Sequence, residues 1–194
     1  MRVFFIRHGQ SEGNVNGYHN SWLPVPLTEK GREDAAMAGR LIKNVPFDKV
    51  YSSDLLRAIQ TQQIALPDAE VERLPVLREI NVGNLLGRKV TDCYEEYGEI
   101  YFVRRDATDY SAYGGESYED LSNRIRQFLS MMEESEYENV AVFGHGTYMQ
   151  IALDLVSGVR QGKSRFTCQN GSVAVFRYEK GSWRVDAWDC TERK

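Results

Sequence analysis

The stretch FFIRHGQSEGN, residues 4–14, joins an apolar run to a cluster of reactive side chains. The apolar run 3–6 is too short for a helix and is soon followed by Gly9, so we expect a buried β-strand. Arg7 and His8 come directly after this strand. The chain has only three histidines, and one of them lies where this strand ends, which raises the question of what His8 does there.

Outward from this strand, further apolar runs alternate with helical patterns. Strands are expected at 47–51 and 139–144, and the segment 172–189 alternates around Lys180-Gly181 as an antiparallel hairpin does. Thr28 is the expected cap of a helix over 33–44. A second helix is expected at the end of 52–66, with Ser52 or Ser53 as its cap and Asp54 in its first turn. Two more are expected after the capping box 117–120 and over 148–156. Together these elements predict an α/β fold. We expect a three-layer α/β/α sandwich with a mostly parallel central sheet and an antiparallel C-terminal edge hairpin.

Length and composition limit the class of protein. At 194 residues, with 42% hydrophobic and 27% charged residues, the chain fits a single globular domain over 1–194. The net charge of −4 argues against nucleic acid or an anionic membrane as a partner, because both bind basic surfaces. Cys93, Cys168 and Cys190 lack the spacing of a disulfide framework or a zinc site. No apolar run suits a signal peptide or a membrane span, so we expect a cytoplasmic protein.

Three strand ends bring polar side chains to one edge of the predicted sheet. Arg7 and His8 follow the first strand, residues 52–57 follow the second, and His145 follows NVAVFG. Ligands of such sheets bind outside the carboxyl ends of the strands, so these residues predict a site. Each has an ordinary alternative, since a single histidine is more often structural, Arg57 could be a solvated helix charge and Glu79 a loop carboxylate. The repeated context of apolar run, histidine and glycine favours the site, because Gly9 and Gly146 would leave room for a ligand.

These residue types suit phosphoryl transfer. Guanidinium groups bind phosphate oxygens bidentately, and the first turn of a helix adds backbone donors for the same anion. A neutral imidazole between cations keeps its lone pair and can attack phosphorus. A carboxylic acid in the same pocket can protonate the departing alkoxide. Fixed cations can stabilise the transition state without a metal, so we expect neither a metal nor a cofactor.

Five motifs in order resemble a known family. RHGQSEGN, SSDLLRAIQT, LREINVGNLLG, GGES and FGHG occur in the order seen in the phosphoglycerate mutase-like branch of the histidine phosphatase superfamily. The resemblance extends from residue 2 to about residue 155, and QNGSV at 169–173 is similar to a later family segment. It implies that His8 is the nucleophile and becomes a phosphohistidine.

The resemblance also implies roles for the other site residues. Arg7, Arg57 and His145 match the residues that hold the transferring phosphoryl group, and Asn14 matches a polar contact in the same pocket. Glu79 matches the acid that protonates the leaving group and later assists water, with Glu116 of GGES as the first alternative. The chain departs from the family pattern at Pro24, Asp34, Asn84 and Leu86. These departures leave the phosphate-binding motifs intact but prevent transfer of a substrate identity.

The resemblance covers phosphatases and mutases. Only 27 residues separate Gly87 from Gly115, which is shorter than the corresponding insertion of the mutases, so a phosphatase that acts on a small phosphorylated metabolite is favoured. A phosphoglycerate mutase-type phosphotransferase is the alternative. A non-catalytic phospholigand-binding protein is disfavoured, because a binder needs neither His8 nor Glu79. Nothing in the sequence fixes the oligomeric state.

The segment 88–114 is the expected substrate-selecting lid. Its tyrosines, with Arg104 and Arg105, could stack on a planar or sugar group and hold a second anion. Alternatively, a single helix over 91–103 packs Tyr94, Tyr97 and Tyr101 against the body. His19 is expected to be a surface loop residue.

Overall fold

The centre of the structure is one mixed β-sheet. The structure, a computed structural model, describes residues 1–158, 166 and 168–192. Its strands are β1 (Arg2–Arg7), β2 (Lys49–Ser52), β3 (Val71–Arg73), β4 (Asn139–Gly144), β5 (Val173–Glu179) and β6 (Ser182–Cys190). They are ordered β3-β2-β4-β1-β5-β6 across the sheet. The first four run parallel, whereas β5 and β6 are antiparallel and close the C-terminal edge.

Helices cover both faces of this sheet. They are α1 (Glu12–Asn16), α2 (Glu29–Ile42), α3 (Leu56–Ala65), α4 (Val90–Tyr97), α5 (Glu99–Asp106), α6 (Tyr118–Glu133) and α7 (Gly146–Ser157). Short 3-10 turns lie at Pro75–Leu77, Gly83–Leu85 and Ser111–Tyr113. The three-layer prediction with an antiparallel C-terminal edge hairpin is confirmed.

The apolar run of β1 is buried on both of its faces. Val3 and Phe5 point into the core that α6 and α7 cover, and Phe4 and Ile6 point into the core beneath α2 and α3. Successive side chains of a strand point to opposite faces, so a continuous apolar run is what a central strand between two helical layers requires. β4 is likewise buried at every residue. These two neighbouring strands fix the frame on which the polar strand ends are placed.

Several predicted boundaries differ from the structure. α3 begins at Leu56 with Leu55 as its N-cap, so the prediction that Ser52 or Ser53 caps this helix is wrong. Asp54 lies before the helix and forms an ion pair with Arg78, with Oδ2 and Nη2 2.5 Å apart. Three further predictions concern the starts of α2, α6 and α7. The caps at Thr28 and Ser117 are confirmed, and α7 begins at Gly146, two residues earlier than expected.

The segment 88–114 contains two helices rather than one. Gly98 has a φ of +62° and separates α4 from α5, so the predicted continuous helix over 91–103 is wrong. Glycine adopts this backbone conformation readily, whereas other residues are strained there. Tyr101 is fully buried, but Tyr94 is exposed, so the predicted packing of all three tyrosines holds only in part. No helix among the described residues combines the length and apolar character needed to cross a bilayer.

Candidate active site

The ends of three neighbouring parallel strands bring the predicted residues together. Arg7 is the last residue of β1 and lies opposite Gly144, the last residue of β4. His8 follows Arg7, and His145 follows Gly144 as the N-cap of α7. Arg57 lies in the first turn of α3, which follows β2 on the other side of β4. The predicted convergence of these side chains at one edge of the sheet is therefore observed.

His8 is held as a neutral ring with a defined tautomer. Its Nδ1 lies 2.7 Å from the carbonyl oxygen of Gly9, which can only accept, so Nδ1 carries the proton. Nε2 therefore has the lone pair, and it lies 3.2 Å from Nε of Arg57. Burial lowers the pKa of His8 well below its usual value, and the nearby cations Arg57 and Arg7 lower it further. The ring is therefore neutral at neutral pH, and its Nε2 lone pair accepts a hydrogen bond from Nε of Arg57.

His145 is fully buried next to His8, with the two ring centroids 5.3 Å apart. Its Nε2 lies 2.8 Å from Oγ of Ser53, and the same Oγ accepts a hydrogen bond from the backbone nitrogen of Leu55. The Ser53 hydroxyl still has its own proton to donate to Nε2, and with that hydrogen bond the proton of a neutral His145 is on Nδ1. Burial lowers the pKa of His145 well below its usual value, and Arg57 lowers it further. Nδ1 has no hydrogen-bond partner among the described residues, and in the tautomer with Ser53 as donor it is an N–H group available to an anion.

The guanidinium of Arg57 is fixed by backbone carbonyls. Nη2 donates to the oxygen of Ser21 at 2.8 Å and Nη1 to that of Leu23 at 3.3 Å. The side chain is 1% exposed, and burial lowers its pKa to about 10, so it stays charged at neutral pH. This burial corrects the alternative that Arg57 is a solvated helix charge.

Arg7 is anchored by Cys168, the residue that precedes the family-like segment 169–173. Its Nη1 donates to the carbonyl oxygen of Cys168. Its Nε is buried without a partner among the described residues. A Cβ on Gly146 would lie 3.1 Å from this Nε, so the glycine lets the backbone approach the guanidinium closely. Arg7 and His145 therefore each supply an unused buried donor at the same sheet edge.

Gly9 has a different role from the one predicted. A Cβ at this position would overlap the carbonyl oxygen of Gly31 in α2, and a Cβ on Gly31 would overlap the carbonyl oxygen of Gln10. The space beside Gly9 is therefore filled by protein backbone rather than left for a ligand. Gly146, the other glycine predicted to leave room beside a histidine, borders the Arg7 guanidinium instead.

Glu79 and Asn14 complete the cavity. The Glu79 carboxylate accepts hydrogen bonds from the backbone nitrogens of Thr147 at 3.1 Å and Tyr148 at 3.2 Å, in the first turn of α7. Asn14 accepts from Ser11 through Oδ1. Five of the six predicted site residues, namely Arg7, His8, Asn14, Arg57 and Glu79, line one cavity of about 190 Å³. The sixth, His145, adjoins His8 as described above.

The cavity also has an aromatic side, which Tyr18, His19 and Tyr110 line. His19 lies in a loop, as expected, but it is half-buried and lines the cavity rather than the outer surface. The His19 ring forms a hydrogen bond through Nε2 to the Tyr101 hydroxyl at 2.8 Å and packs edge-on against Tyr110. Burial lowers the pKa of His19 to about 4, with a further contribution from Arg105. This wall is therefore uncharged at neutral pH.

The two arginines expected to hold a second anion are engaged with carboxylates. Nη1 of Arg104 lies 2.9 Å from Oδ2 of Asp109, and Nη2 of Arg105 lies 3.3 Å from Oδ1 of Asp106. The Arg105 guanidinium also lies 4.6 Å from the ring centroid of Phe102. These ion-pair partners lie within the segment 88–114, and neither arginine is among the described residues that line the cavity.

Ser53 and Ser21 are site residues that sequence reasoning missed as such. The sequence places Ser53 in the strand-end segment 52–57 and as a possible helix cap, but it does not indicate the hydrogen bond by which Ser53 orients His145, 92 positions away. Ser21 supplies the carbonyl that holds Arg57, and its hydroxyl donates to the oxygen of Ile80 at 2.6 Å. No local pattern signals such contacts, because each depends on the packing of distant segments.

Both the sequence and the fold are similar to those of known proteins. The sequence model of the histidine phosphatase superfamily, branch 1, matches residues 3–191. The adenosylcobalamin/alpha-ribazole phosphatase of Salmonella typhimurium is 30% identical over 189 residues, which cover 94% of this chain and 88% of that protein. The 2,3-bisphosphoglycerate-dependent phosphoglycerate mutase 2 of Gloeobacter violaceus is 35% identical over 160 residues, covering 78% and 73%. The crystal structure of the alpha-ribazole phosphatase from Shigella flexneri superposes with a TM-score of 0.88 at 26% identity, covering 98% of this chain and 96% of that one. The resemblance stated from the five motifs is confirmed.

Proposed function

The chain belongs to the histidine phosphatase superfamily, branch 1, and from this premise we propose that it hydrolyses phosphomonoesters through a phosphohistidine on His8. The observation that carries the proposal is the tautomer of His8, whose Nε2 lone pair faces Arg57 at 3.2 Å in a buried, cation-lined cavity. A group that must attack phosphorus needs this lone pair at neutral pH. A protein that only binds a phosphorylated ligand needs no such group.

Arg7, Arg57 and His145 are proposed to hold the phosphoryl group. Each offers an N–H donor at the same sheet edge, and two of these donors, on Arg7 and His145, have no partner among the described residues. Asn14 lines the same cavity and is proposed as a further polar contact. Preorganised donors of this kind stabilise the charge that develops on the phosphoryl oxygens, without a metal or a cofactor.

Glu79 is proposed as the acid and then the base. In the first step Nε2 of His8 forms a bond to phosphorus while the bond from phosphorus to the ester oxygen breaks, and that oxygen takes a proton from the Glu79 carboxyl group. In the second step Glu79 accepts a proton from water as the water oxygen attacks phosphorus. The nitrogen–phosphorus bond then breaks and inorganic phosphate is released. The hydrogen bonds from Thr147 and Tyr148 support this role because they hold the carboxylate in the cavity.

The substrate is proposed to be a small phosphorylated metabolite whose leaving group contacts the aromatic wall. The segment 88–114 is proposed as the lid that selects it, since Tyr110 from this segment lines the cavity and Tyr101 holds His19. The chain as a whole, 1–194, is proposed to act as one domain. The relative from Salmonella typhimurium, which covers 94% of this chain, makes an alpha-ribazole phosphate a first substrate to assay.

A mutase of the phosphoglycerate type is the second candidate, because one relative is such an enzyme. A mutase that binds a phosphorylated carboxylate requires cations for a second anion. Arg104 and Arg105 form ion pairs with aspartates instead, which favours the phosphatase. Assaying 3-phosphoglycerate for both phosphate release and isomerisation separates the two.

Trapping the phosphoenzyme tests the proposal. Rapid acid-free quenching with a ³²P-labelled phosphomonoester should label the wild-type chain, and the label should map to the peptide that contains His8. The His8→Ala variant should carry no label and retain no more than a few per cent of the activity. His19→Ala serves as the matched control and should keep the label. A label on another residue, or full activity of His8→Ala, would refute the nucleophile.

Chelation tests the metal-free part of the proposal. Activity should survive EDTA and should be inhibited competitively by vanadate, which adopts the five-coordinate geometry of the transition state. The reason is that Arg7 and Arg57 already supply positive charge that other phosphatases take from metal ions. Loss of activity in EDTA with recovery on adding a divalent metal would show that this part is wrong.

A further inference from the structure

We propose that Arg124 and Glu116 act as a pair of positioning residues that hold Glu79 where it can transfer a proton. This inference rests on the proposed role of Glu79. Glu79 lies in the stretch 78–82, which is neither helix nor strand and runs between two 3-10 turns. A catalytic acid in irregular chain needs support from elsewhere in the fold, because a misplacement of about 1 Å can reduce a rate about 100-fold.

Arg124 supplies that support with all of its donors. Its Nη1 donates to the carbonyl oxygens of Val76 at 2.8 Å and Arg78 at 3.0 Å, and its Nη2 donates to the carbonyl oxygen of Glu79 at 3.3 Å. The remaining donors go to Glu116, from Nε at 2.7 Å and from Nη2 at 2.9 Å. A guanidinium has five N–H donors in a rigid fork. In Arg124 every one of them has a partner.

The position of Arg124 makes it an anchor. It lies in the middle of α6, whose neighbouring residues Leu121, Ile125 and Phe128 are buried in the core beside the sheet. The fork therefore connects the irregular stretch that carries Glu79 to one of the most firmly packed helices of the described fold.

Glu116 extends the same connection. Its side chain accepts from the backbone nitrogen of Asn81 at 2.7 Å, and its own backbone nitrogen donates to the oxygen of Asn81 at 2.8 Å. Its carbonyl oxygen accepts from the backbone nitrogen of Tyr110, which lines the cavity. Glu116 thus holds the main chain on the C-terminal side of Glu79, at Asn81, while Arg124 holds it at Glu79 and on the N-terminal side.

These contacts also remove Glu116 as the alternative acid. Both of its carboxylate oxygens accept hydrogen bonds from Arg124, and one also accepts from Asn81. Unlike Glu79, Glu116 is not among the described residues that line the cavity, so its carboxylate is not placed to reach a leaving group there. Its function in the GGES motif is to orient the fork.

The side chain and main chain of Glu79 are therefore fixed from two directions. The first turn of α7 holds the carboxylate, and the Arg124–Glu116 pair holds the main chain behind it. A lysine at position 124 offers a single nitrogen and cannot replace the fork. Weakening the pair should therefore displace the acid while His8, Arg7 and Arg57 stay in place.

The leaving group provides a readout that a merely structural role would not change. Nitrophenolate leaves without a proton, whereas an alkoxide needs one as its bond to phosphorus breaks. The test compares the phosphoenzyme-forming step for p-nitrophenyl phosphate, followed as the nitrophenolate burst, with the same step for an alkyl phosphate, followed by rapid quench. The variants are Glu116→Gln, Arg124→Lys and Glu79→Gln, with Arg126→Ala as the control on the exposed face of α6.

In Glu79→Gln the rate of phosphoenzyme formation should fall at least 100-fold with the alkyl phosphate and much less in the nitrophenolate burst. Glu116→Gln and Arg124→Lys should lose at least tenfold more on the alkyl phosphate than in the burst, and Arg126→Ala should match the wild type on both. Adding Glu116→Gln to Glu79→Gln should cause little further loss, because both changes act on the same proton transfer. Thermal unfolding and vanadate binding verify the fold, and Glu116→Gln keeps the side-chain shape if Arg124→Lys proves unstable.

Two results would overturn the inference, and they are distinguishable. If Glu79→Gln shows the leaving-group dependence but the other two variants lose equally on both substrates or not at all, the positioning role is wrong and the function of Glu79 stands. If Glu79→Gln itself shows no leaving-group dependence, the proposed acid is wrong and the inference fails with it.

Discussion

The strand-end site and the segment 88–114 are built in opposite ways. At the strand ends, each charged group is held by partners far away in the sequence, as Arg57 is by Ser21 and Arg7 by Cys168. The segment 88–114 pairs its charges within itself, for example Arg104 with Asp109. Its helices expose Ile100 and Val103, whereas His8 is only 3% exposed and His145 is fully buried.

This difference separates reaction from substrate choice. Groups held by several distant elements cannot move without disturbing the sheet, which suits a site that must be preorganised for charge development. The exposed positions of a segment whose charges are paired locally can change in sequence without disturbing the sheet, which suits the part that contacts a variable leaving group. The cavity joins the two regions, since Tyr110 and the strand-end residues line it together.

The largest expected effect is at Arg57. Arg57→Ala should lower kcat by about two to three orders of magnitude, because it removes one charge-assisted donor at the transition state, a loss of roughly 3 kcal/mol. It should also destabilise the fold, since the carbonyls of Ser21 and Leu23 lose their donor. Arg40→Ala, an exposed cation on α2, is the control in steady-state kinetics and urea unfolding. Kinetics equal to the wild type would return Arg57 to a structural role.

The next effect concerns the two buried histidines. Their lowered pKa values mean that the unfolded chain binds protons near pH 6.5 while the folded chain does not, so the free energy of unfolding should fall as the pH drops below about 6.5. Each ring contributes up to about 1.4 kcal/mol per pH unit. Urea unfolding between pH 7.5 and 5.5, in a buffer without phosphate, measures how steeply the free energy of unfolding changes with pH. His8→Asn should reduce this slope by the amount that one proton contributes, about 1.4 kcal/mol per pH unit at most. An unchanged slope would contradict a neutral His8.

A smaller effect is expected from the aromatic wall. His19→Ala removes the hydrogen bond to Tyr101 and with it one support of the cavity wall, so we expect kcat/KM for a substrate with a bulky leaving group to fall about fivefold, a loss of about 1 kcal/mol of transition-state stabilisation. The burst with p-nitrophenyl phosphate should change by less than about twofold, because the phosphoryl-binding residues are untouched. Tyr94→Ala, on the exposed side of α4, is the control. Equal losses on both substrates would place His19 with the reacting groups.

The smallest effect is expected at Arg104. Because its charge is paired with Asp109 and both side chains are partly solvated, Arg104→Ala should change KM by less than about twofold and stability by less than about 1 kcal/mol. KM values for 3-phosphoglycerate and for an uncharged-tail phosphomonoester provide the test. A large rise in KM for 3-phosphoglycerate alone would restore the second-anion hypothesis and with it the mutase.

The strand-end site was predictable because its signals are local and strong. The apolar runs before His8 and His145 mark central strands, and parallel strands place their carboxyl ends at one edge. β3 was not predicted, since Val71–Arg73 is only three residues long and mostly exposed, so it lacks an apolar pattern. The break at Gly98 was also missed, because a glycine within a helical pattern does not by itself reveal its φ.

The contacts that refine the site were beyond sequence reasoning for a different reason. His19 meets Tyr101 across 82 positions of the chain. Arg124 reaches the carbonyl of Glu79 across 45 positions, and nothing near it in the sequence distinguishes it from the exposed Arg126. Such roles depend on which loops pack together, and that is decided by the whole core rather than by any motif.

The reciprocal contact between Gly9 and Gly31 bears on how this sequence can evolve. Because a Cβ on Gly9 would overlap the carbonyl oxygen of Gly31 and a Cβ on Gly31 would overlap that of Gln10, no single substitution at position 9 or 31 is accessible without moving α2 away from the loop that follows β1. Movement of that loop would displace His8, which lies next to Gly9. Gly9 of the RHG motif is therefore retained because two segments of main chain are in contact there. The substitutions that α2 can accept at Gly31 are limited by the need to keep His8 in place at the edge of the sheet.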